Sequence, residues 1–277
     1  MELDSYFIPN LLRSFLTFAC GMLIVLLLWQ FLAWYCNGYM DLALRFPTPA
    51  ESISWVWDSF VNGTPVYYEY GPTIIDHTVA SLKRMLIAFF FAAVIGVSVG
   101  SLIGFCSKIY NIGIIPVIVF QSIPGLAWIP IALILFGLGD DAAVFIIFMV
   151  SLMVITMNVA SGIRMTPQVI VRTAGMMGAN HLIMFIKNLI PFAAIPIING
   201  LRLGIGSAWR VLIAAEMLIG TGIGLGTSMD LLRDNLDFVG AFGCIVIICI
   251  IGLIIDRGVF AVIERAVRHK LGMEEGH

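Results

Sequence analysis

Six stretches of this chain are apolar for about the ~20 residues that a helix needs to cross a hydrocarbon core of roughly 30 Å, and they decide most of what it can become. Residues 14–36 form the first, with Trp29, Trp34 and Tyr35 toward one end. Residues 85–106 form the second. Residues 112–138 form the third, which carries Pro116, Pro124 and Pro130. Residues 142–163 make the fourth, 190–220 a long fifth with Pro191 and Pro196, and 238–262 the sixth. Of the 277 residues, 60% are hydrophobic and 12% are charged, with a mean hydropathy of +1.02. A soluble domain carries about 25% charged residues, so this chain lacks the polar groups to cover a soluble surface. The composition excludes a soluble globular protein, a disordered chain and a disulfide scaffold. The expected fold class is all-α, a polytopic membrane protein with six transmembrane helices.

The remaining counts narrow the partners. Net charge is −2, so no nucleic-acid partner is expected. The five cysteines form no CxxC pair and the four histidines are scattered, so no metal site is expected. The first apolar run is too long for the core of a cleavable signal peptide.

Lysine and arginine in short loops set orientation. With the 161–189 loop in the cytoplasm, that side holds nine: Arg13, Lys108, Arg164, Arg172, Lys187, Arg257, Arg265, Arg268 and Lys270. The outer side holds four: Arg45, Lys83, Arg84 and Arg233. Both termini, 1–13 and 263–277, are therefore expected in the cytoplasm of a multi-pass plasma (inner) membrane protein. The extracytoplasmic segment 37–84 reads as a Pro-containing stretch, an amphipathic helix around Glu51–Val61, a turn at Asn62-Gly63-Thr64-Pro65, and a helix beginning near Pro72 that leads through His77 and Ser81 into the second span.

The cytoplasmic loop is the informative one. Thr166-Pro167 predicts a helix start, with Thr166 as N-cap and Pro167 in the first turn. Ile170, Val171, Ala174 and Met177 recur at helical spacing, and Gly178 predicts the stop. A second helix is expected from Asn180 into Pro191. An apolar helix face left outside the membrane predicts a docking surface for another protein.

Charges inside the fifth span are the next signal. Arg202 lies about 16 Å beyond Pro191, near the midplane, with Arg210 and Glu216 in the outer half. Arg202 and Arg210 are about 80° apart around the helix and Glu216 about 120° from Arg210, so no pair within the helix is expected. Such charges face a cavity or a partner. Two readings stay open: an arginine-lined path for an anion, or pairing with carboxylates and helix ends on other spans. Trp209 either stacks on a substrate or packs. The three prolines of the third span point to a broken helix lining a pathway near Gln121, Ser122 and Pro124, or to a structural kink. Gly96, Gly100 and Gly104, and Gly200, Gly204 and Ala208, predict close helix contacts. The glycine run 220–226 lacks the lysine of a phosphate loop and reads as a flexible outer loop or re-entrant turn.

The run Arg172-Thr173-Ala174-Gly175-Met176-Met177-Gly178-Ala179, with Pro191 thirteen residues after Gly178, resembles the EAA motif of permease subunits in binding-protein-dependent ABC importers. Further segments resemble the nitrate/sulfonate/taurine branch of that family in the same order. They are Pro47-Thr48-Pro49, Ser81-Leu82-Lys83-Arg84, Ile123 through Pro130, Phe136 through Gly139, Gly200 through Gly204, Ala208-Trp209-Arg210, Ala215-Glu216-Met217 and Gly224-Leu225-Gly226.

The resemblance implies a type I importer-permease core over 85–262. Thr166, Ile170, Arg172, Thr173, Ala174, Met177, Gly178, Ala179 and Pro191 would form the coupling region that sits in a cleft of a cytoplasmic ATPase subunit. It also implies a second permease copy, surrounding membrane lipid and an extracytoplasmic solute-binding protein. ATP and Mg would sit on the ATPase, with no cofactor on this chain. The implied function is ATP-driven import of a small anion such as nitrate, a sulfonate or taurine by alternating access; the alternative is a stand-alone secondary transporter driven by an ion gradient. Arg172 replaces the family's Glu, Thr173 its first Ala, and Gln121 an Arg often seen there. Arg172 is therefore expected to meet an altered ATPase groove.

Overall fold

The computed structural model describes residues 4–40, 44–66, 71–178 and 180–270, and among them the ordered elements are helices. Helix α1 (Asp4–Tyr39) contains the apolar crossing segment Leu16–Tyr39. Its far end is tied to the chain that follows. Trp29 Nε1 donates to the Pro47 carbonyl at 3.1 Å, and the Asn37 amide both donates to and accepts from the Phe46 backbone, at 3.0 and 2.8 Å.

Helix α2 (Pro49–Val61) starts with a capping box. Thr48 Oγ1 accepts from the Glu51 N–H, the Glu51 carboxylate accepts from the Thr48 N–H at 3.0 Å, and Pro49 occupies the first turn. The Thr48 hydrogen bonds, and beside them the Arg45 guanidinium, hold the Glu51 carboxyl below the ordinary carboxylate range. A depressed folded pKa stabilises α2 above the unfolded value, and the gain is lost as pH falls through the folded one. Thr48→Ala is expected to cost about 1 kcal/mol, so amide exchange in the first turn of α2 rises about fivefold at neutral pH. In the wild type the same protection fades on acidification. Wild-type exchange rates in the alanine form would sink the assignment.

Helix α3 (Ile74–Phe105) is capped the same way by Thr73 and Asp76. Its 32 residues span about 48 Å, more than the bilayer core. The helix expected near Pro72 thus runs through residues 81–84 into the second span without a break, as expected.

The third apolar stretch is not one straight span. Helix α4 (Ser107–Ser122) runs through Pro116, the chain breaks at Ile123-Pro124, and a 3₁₀ turn (Gly125–Trp128) leads into α5 (Ile129–Phe136). The two halves are bent by 96°. Only Pro124 breaks the helix. Pro130 falls in the first turn of α5, where a missing N–H costs nothing.

Helix α6 (Asp140–Arg164) is the fourth span and the axis of the core. The short elements α7 (Gln168–Met176), α8 (His181–Met184), a π-helical stretch (Phe185–Leu189) and α9 (Ile190–Phe192) lead to α10 (Ala194–Ile219), the fifth span. Helix α11 (Leu225–Asp234) follows the glycine run. The last span is longer than the expected 238–262. Helix α12 (Phe238–Leu253) passes through a π-helical stretch (Ile254–Phe260) into the amphipathic α13 (Ala261–Lys270).

The two glycine series bring α3 and α10 close against α6, and both meet Ile155. A Cβ at Gly100 of α3 would lie 2.8 Å from the Thr156 carbonyl oxygen, and one at Gly104 would lie 2.7 Å from that of Ala160. On α10, a Cβ at Gly204 would lie 2.7 Å from Ile155, and one at Gly200 would lie 2.8 Å from Asn158. Backbones at this distance exclude any side chain larger than hydrogen.

Candidate functional site

Two regions hold the residues singled out by sequence: the 161–189 loop and the face of α10 beside the α4–α5 break. In the loop, α7 begins at Gln168, because Pro167 is extended (φ −57°, ψ 134°). Thr166 is not its N-cap. It is buried, and its hydroxyl has no hydrogen-bond partner among the described residues. The helix ends as predicted, with Gly178 left-handed at φ 78°. Asn180 caps the next turn by accepting from the Ile183 N–H at 2.8 Å. Pro191 lies in α9, just after the π-helical stretch. Ala179 lies outside the described residues.

The face assignment of α7 needs correcting. Ala174 is buried, and Ile170 and Val171 are half-buried. Met177, grouped with them by spacing, is 82% exposed, as is Met176. The open face is Val169, Arg172, Thr173 and Met176, with Met177 beside it. The apolar stripe read from the sequence seats the helix on its own chain, and the other side is presented outward.

On α10 the charged residues separate. Arg202 is paired: its guanidinium holds Asp256 with Nε–Oδ1 2.7 Å and Nη2–Oδ2 3.0 Å, and reaches Glu264 at 3.4 Å. Trp209 is buried and donates Nε1–H to the Ile248 carbonyl at 3.1 Å, so its ring is core. Glu216 is fully buried. Arg210 is exposed and donates Nη2–H to Ser207 Oγ at 3.3 Å. Gln121, Ser122 and Pro124 are exposed at the break. The break lies against α10 through Gly125, whose Cβ would be 2.6 Å from Val211.

A family described as binding-protein-dependent transport system inner membrane component matches residues 92–269. The chain belongs to this family. The permease is 30% identical over 254 residues to the nitrate import permease protein NrtB of Synechocystis, covering 90% of this chain and 86% of that one. It is 34% identical over 186 residues to a putative ABC transporter permease of Methanocaldococcus jannaschii (67% and 70%). To the taurine transport system permease TauC of Escherichia coli it is 30% identical over 194 residues (70% of each). Its fold is similar to that of a chain in the inward-facing MetNI methionine ABC transporter, with a TM-score of 0.62, 21% identity, and 70% of this chain and 95% of that one covered. The permease is thus a multi-pass inner-membrane component of an ABC importer, and membership implies ATP-binding subunits and a solute-binding protein as partners.

Three of the segments that carry the resemblance meet in one buried cluster of the permease. Arg84 Nη1 donates to Glu216 Oε1 at 2.7 Å, and Arg84 Nε to Asp140 Oδ1 at 2.8 Å. Ser81 Oγ donates to the Glu216 carboxylate at 2.8 Å and accepts from the Leu225 N–H at 2.8 Å. The Gly226 N–H donates to Glu216 Oε2 at 3.0 Å, and His77 Nδ1 lies 2.9 Å from the Gly224 backbone. The cluster joins α3, α6, α10 and α11. A Cβ at Gly224 would lie 2.5 Å from the Glu216 carboxyl carbon, and one at Gly226 would strike the Ile213 carbonyl. The second half of the glycine run, Gly224 to Gly226, is accordingly packed over a carboxylate, while Gly220 and Gly222 are exposed. Glu216 is enclosed by this cluster and lines no open face of the permease. The helix that carries Ser81 and Arg84 into the second span was legible in the sequence, but their convergence with Asp140 and Glu216 was not, because those partners lie 56 to 135 residues away.

Proposed function

We propose that two copies of this permease form the pathway of an ATP-driven importer for a small anion. Nitrate, bicarbonate and taurine, the solutes in its relatives' names, define the chemical range. The observation that carries the ATP-driven reading is α7. A short helix outside the apolar spans presents Val169, Met176 and Met177 outward, at no benefit to its own chain. Exposed large apolar side chains in such a place mark a contact surface. An ATPase subunit would seat it, with Arg172 meeting an acidic lining. The nine-to-four bias of basic residues supports placing α7 and both termini in the cytoplasm.

In the proposed cycle, ATP binding on the partner subunits draws the two α7 helices together and opens the pathway outward. A binding protein releases the anion, and hydrolysis restores the inward-facing state. The test is uptake of nitrate, bicarbonate and taurine into proteoliposomes containing the permease, its ATPase subunits and the binding protein. Uptake of at least one that requires ATP is expected. Uptake by the permease alone, driven by an ion gradient, would replace this reading with a secondary transporter.

A further inference from the structure

We infer that Arg210 is the residue that binds the passing anion, a monovalent oxyanion or sulfonate held by the guanidinium fork. The inference rests on the importer reading above and adds to it a recognition residue and a ligand chemistry.

Arg84, Arg202 and Arg210 are the arginines of α3 and α10, and two of them are held by carboxylates. Arg84 is held by Glu216 and Asp140, and Arg202 by Asp256 and Glu264. Arg210 makes no salt bridge among the described residues. It donates one hydrogen bond to Ser207, one turn back on its own helix, at 3.3 Å. A guanidinium has five N–H donors, so most of the fork stays open. The space beside it is open as well. A Cβ built at Gly206 would find Arg210 Nη1, at 3.7 Å, as its sole neighbour within 4 Å.

A charge in a membrane span persists where it faces a cavity or a partner of opposite sign. Among the described residues, α10 and α12–α13 of a second copy offer no unpaired carboxylate. Glu216, Asp256 and Glu264, the described carboxylates of these helices, are already bound by Arg84 and Arg202. The neighbouring element points the same way. The α4–α5 break packs on Val211, the residue after Arg210, and presents Gln121, Ser122 and Pro124 uncovered. Non-helical backbone at membrane depth occurs where it lines a water-filled cavity or is buried in protein. An exposed break beside an unpaired guanidinium therefore fits a wet surface carrying positive charge. The planar fork matches two coplanar oxygens, as nitrate, bicarbonate and a sulfonate all offer. An uncharged solute would leave it unpaired.

The test compares wild type, Arg210→Gln and Arg210→Lys in the reconstituted complex, using whichever of nitrate, bicarbonate and taurine the wild type takes up with ATP. For Arg210→Gln, a fall of at least tenfold in uptake kcat/KM is expected, with the complex eluting at wild-type size. Arg210→Lys, which keeps the charge and loses the fork, should fall between the two with a raised KM. Uptake by Arg210→Gln within twofold of wild type overturns the inference and leaves the importer reading intact. If Arg210→Gln fails to assemble, a wild-type KM in Arg210→Lys overturns it in favour of a purely structural cation. If the wild-type complex moves none of the three solutes with ATP, the importer reading itself fails.

Discussion

Replacing Arg84 with methionine is expected to destabilise the permease by about 3–5 kcal/mol, because it leaves the buried Glu216 carboxylate without its counter-charge. Glu216 has no exposure, and only the Ser81 hydroxyl and the Gly226 N–H would remain as donors. Removing one partner of a buried pair costs more than the pair contributes, since the survivor pays its desolvation alone. Thermal unfolding in detergent should show a loss on the order of 10 °C. The double variant Arg84→Met, Glu216→Gln should recover most of it, because the remaining group is neutral and still hydrogen-bonded. A midpoint for Arg84→Met within about 2 °C of wild type would mean that the cluster contributes little. Asp140 is the less sensitive partner, since its side chain is 60% exposed and water replaces the arginine readily.

The second large effect is expected at α7. Met176→Asp combined with Met177→Asp should weaken binding of the ATPase subunit by about a hundredfold or more, on the scale of two interface anchors lost, at ~2 kcal/mol each. ATP-dependent uptake should fall with it. Both side chains are 82% exposed, so the permease itself should fold and insert as before. Co-purification with the ATPase and uptake in proteoliposomes measure the two consequences separately. Normal binding with normal uptake would remove α7 as the contact. Ala174→Asp is the weaker experiment, although the residue lies in the same motif. Ala174 is buried against its own chain, so a carboxylate there would unseat α7 rather than interrogate its outer face.

The apolar runs and the glycine spacings made most of the fold legible, because both follow from solvent and sterics alone. A Gly96–Gly100–Gly104 series has one use in a membrane, and α6 lies where that use requires. What stayed hidden depends on partners distant in sequence. The spacing of Ile170, Val171, Ala174 and Met177 shows that α7 has an apolar side, but not which neighbour covers it. Here the rest of the chain covers Ala174 and leaves Met177 out. Arg202, Arg210 and Glu216 look alike in a linear reading, three charges in one span. They separate only when Asp256, Arg84 and Asp140 are brought alongside from residues 54, 132 and 56 positions away in each pair. Pro116, Pro124 and Pro130 pose the same problem. Each is a helix breaker in principle, and the local register decides that just one of them breaks.

The clamping of α6 has a mechanical side. Glycines lock α3 and α10 onto α6 along its middle, and the Arg84 cluster rivets the same three helices together near the start of α6. Three rods joined along their length and at one tip resist bending far better than any one of them. Helix α7 hangs from the opposite tip, joined to α6 by a turn and the extended Pro167. On the proposed importer reading, a push on α7 would be delivered to the far tip as rotation of a stiff beam instead of being absorbed on the way. Compliance is left to the beam's borders, at the 96° elbow beside Pro124 and in the widened turns at Phe185–Leu189 and Ile254–Phe260.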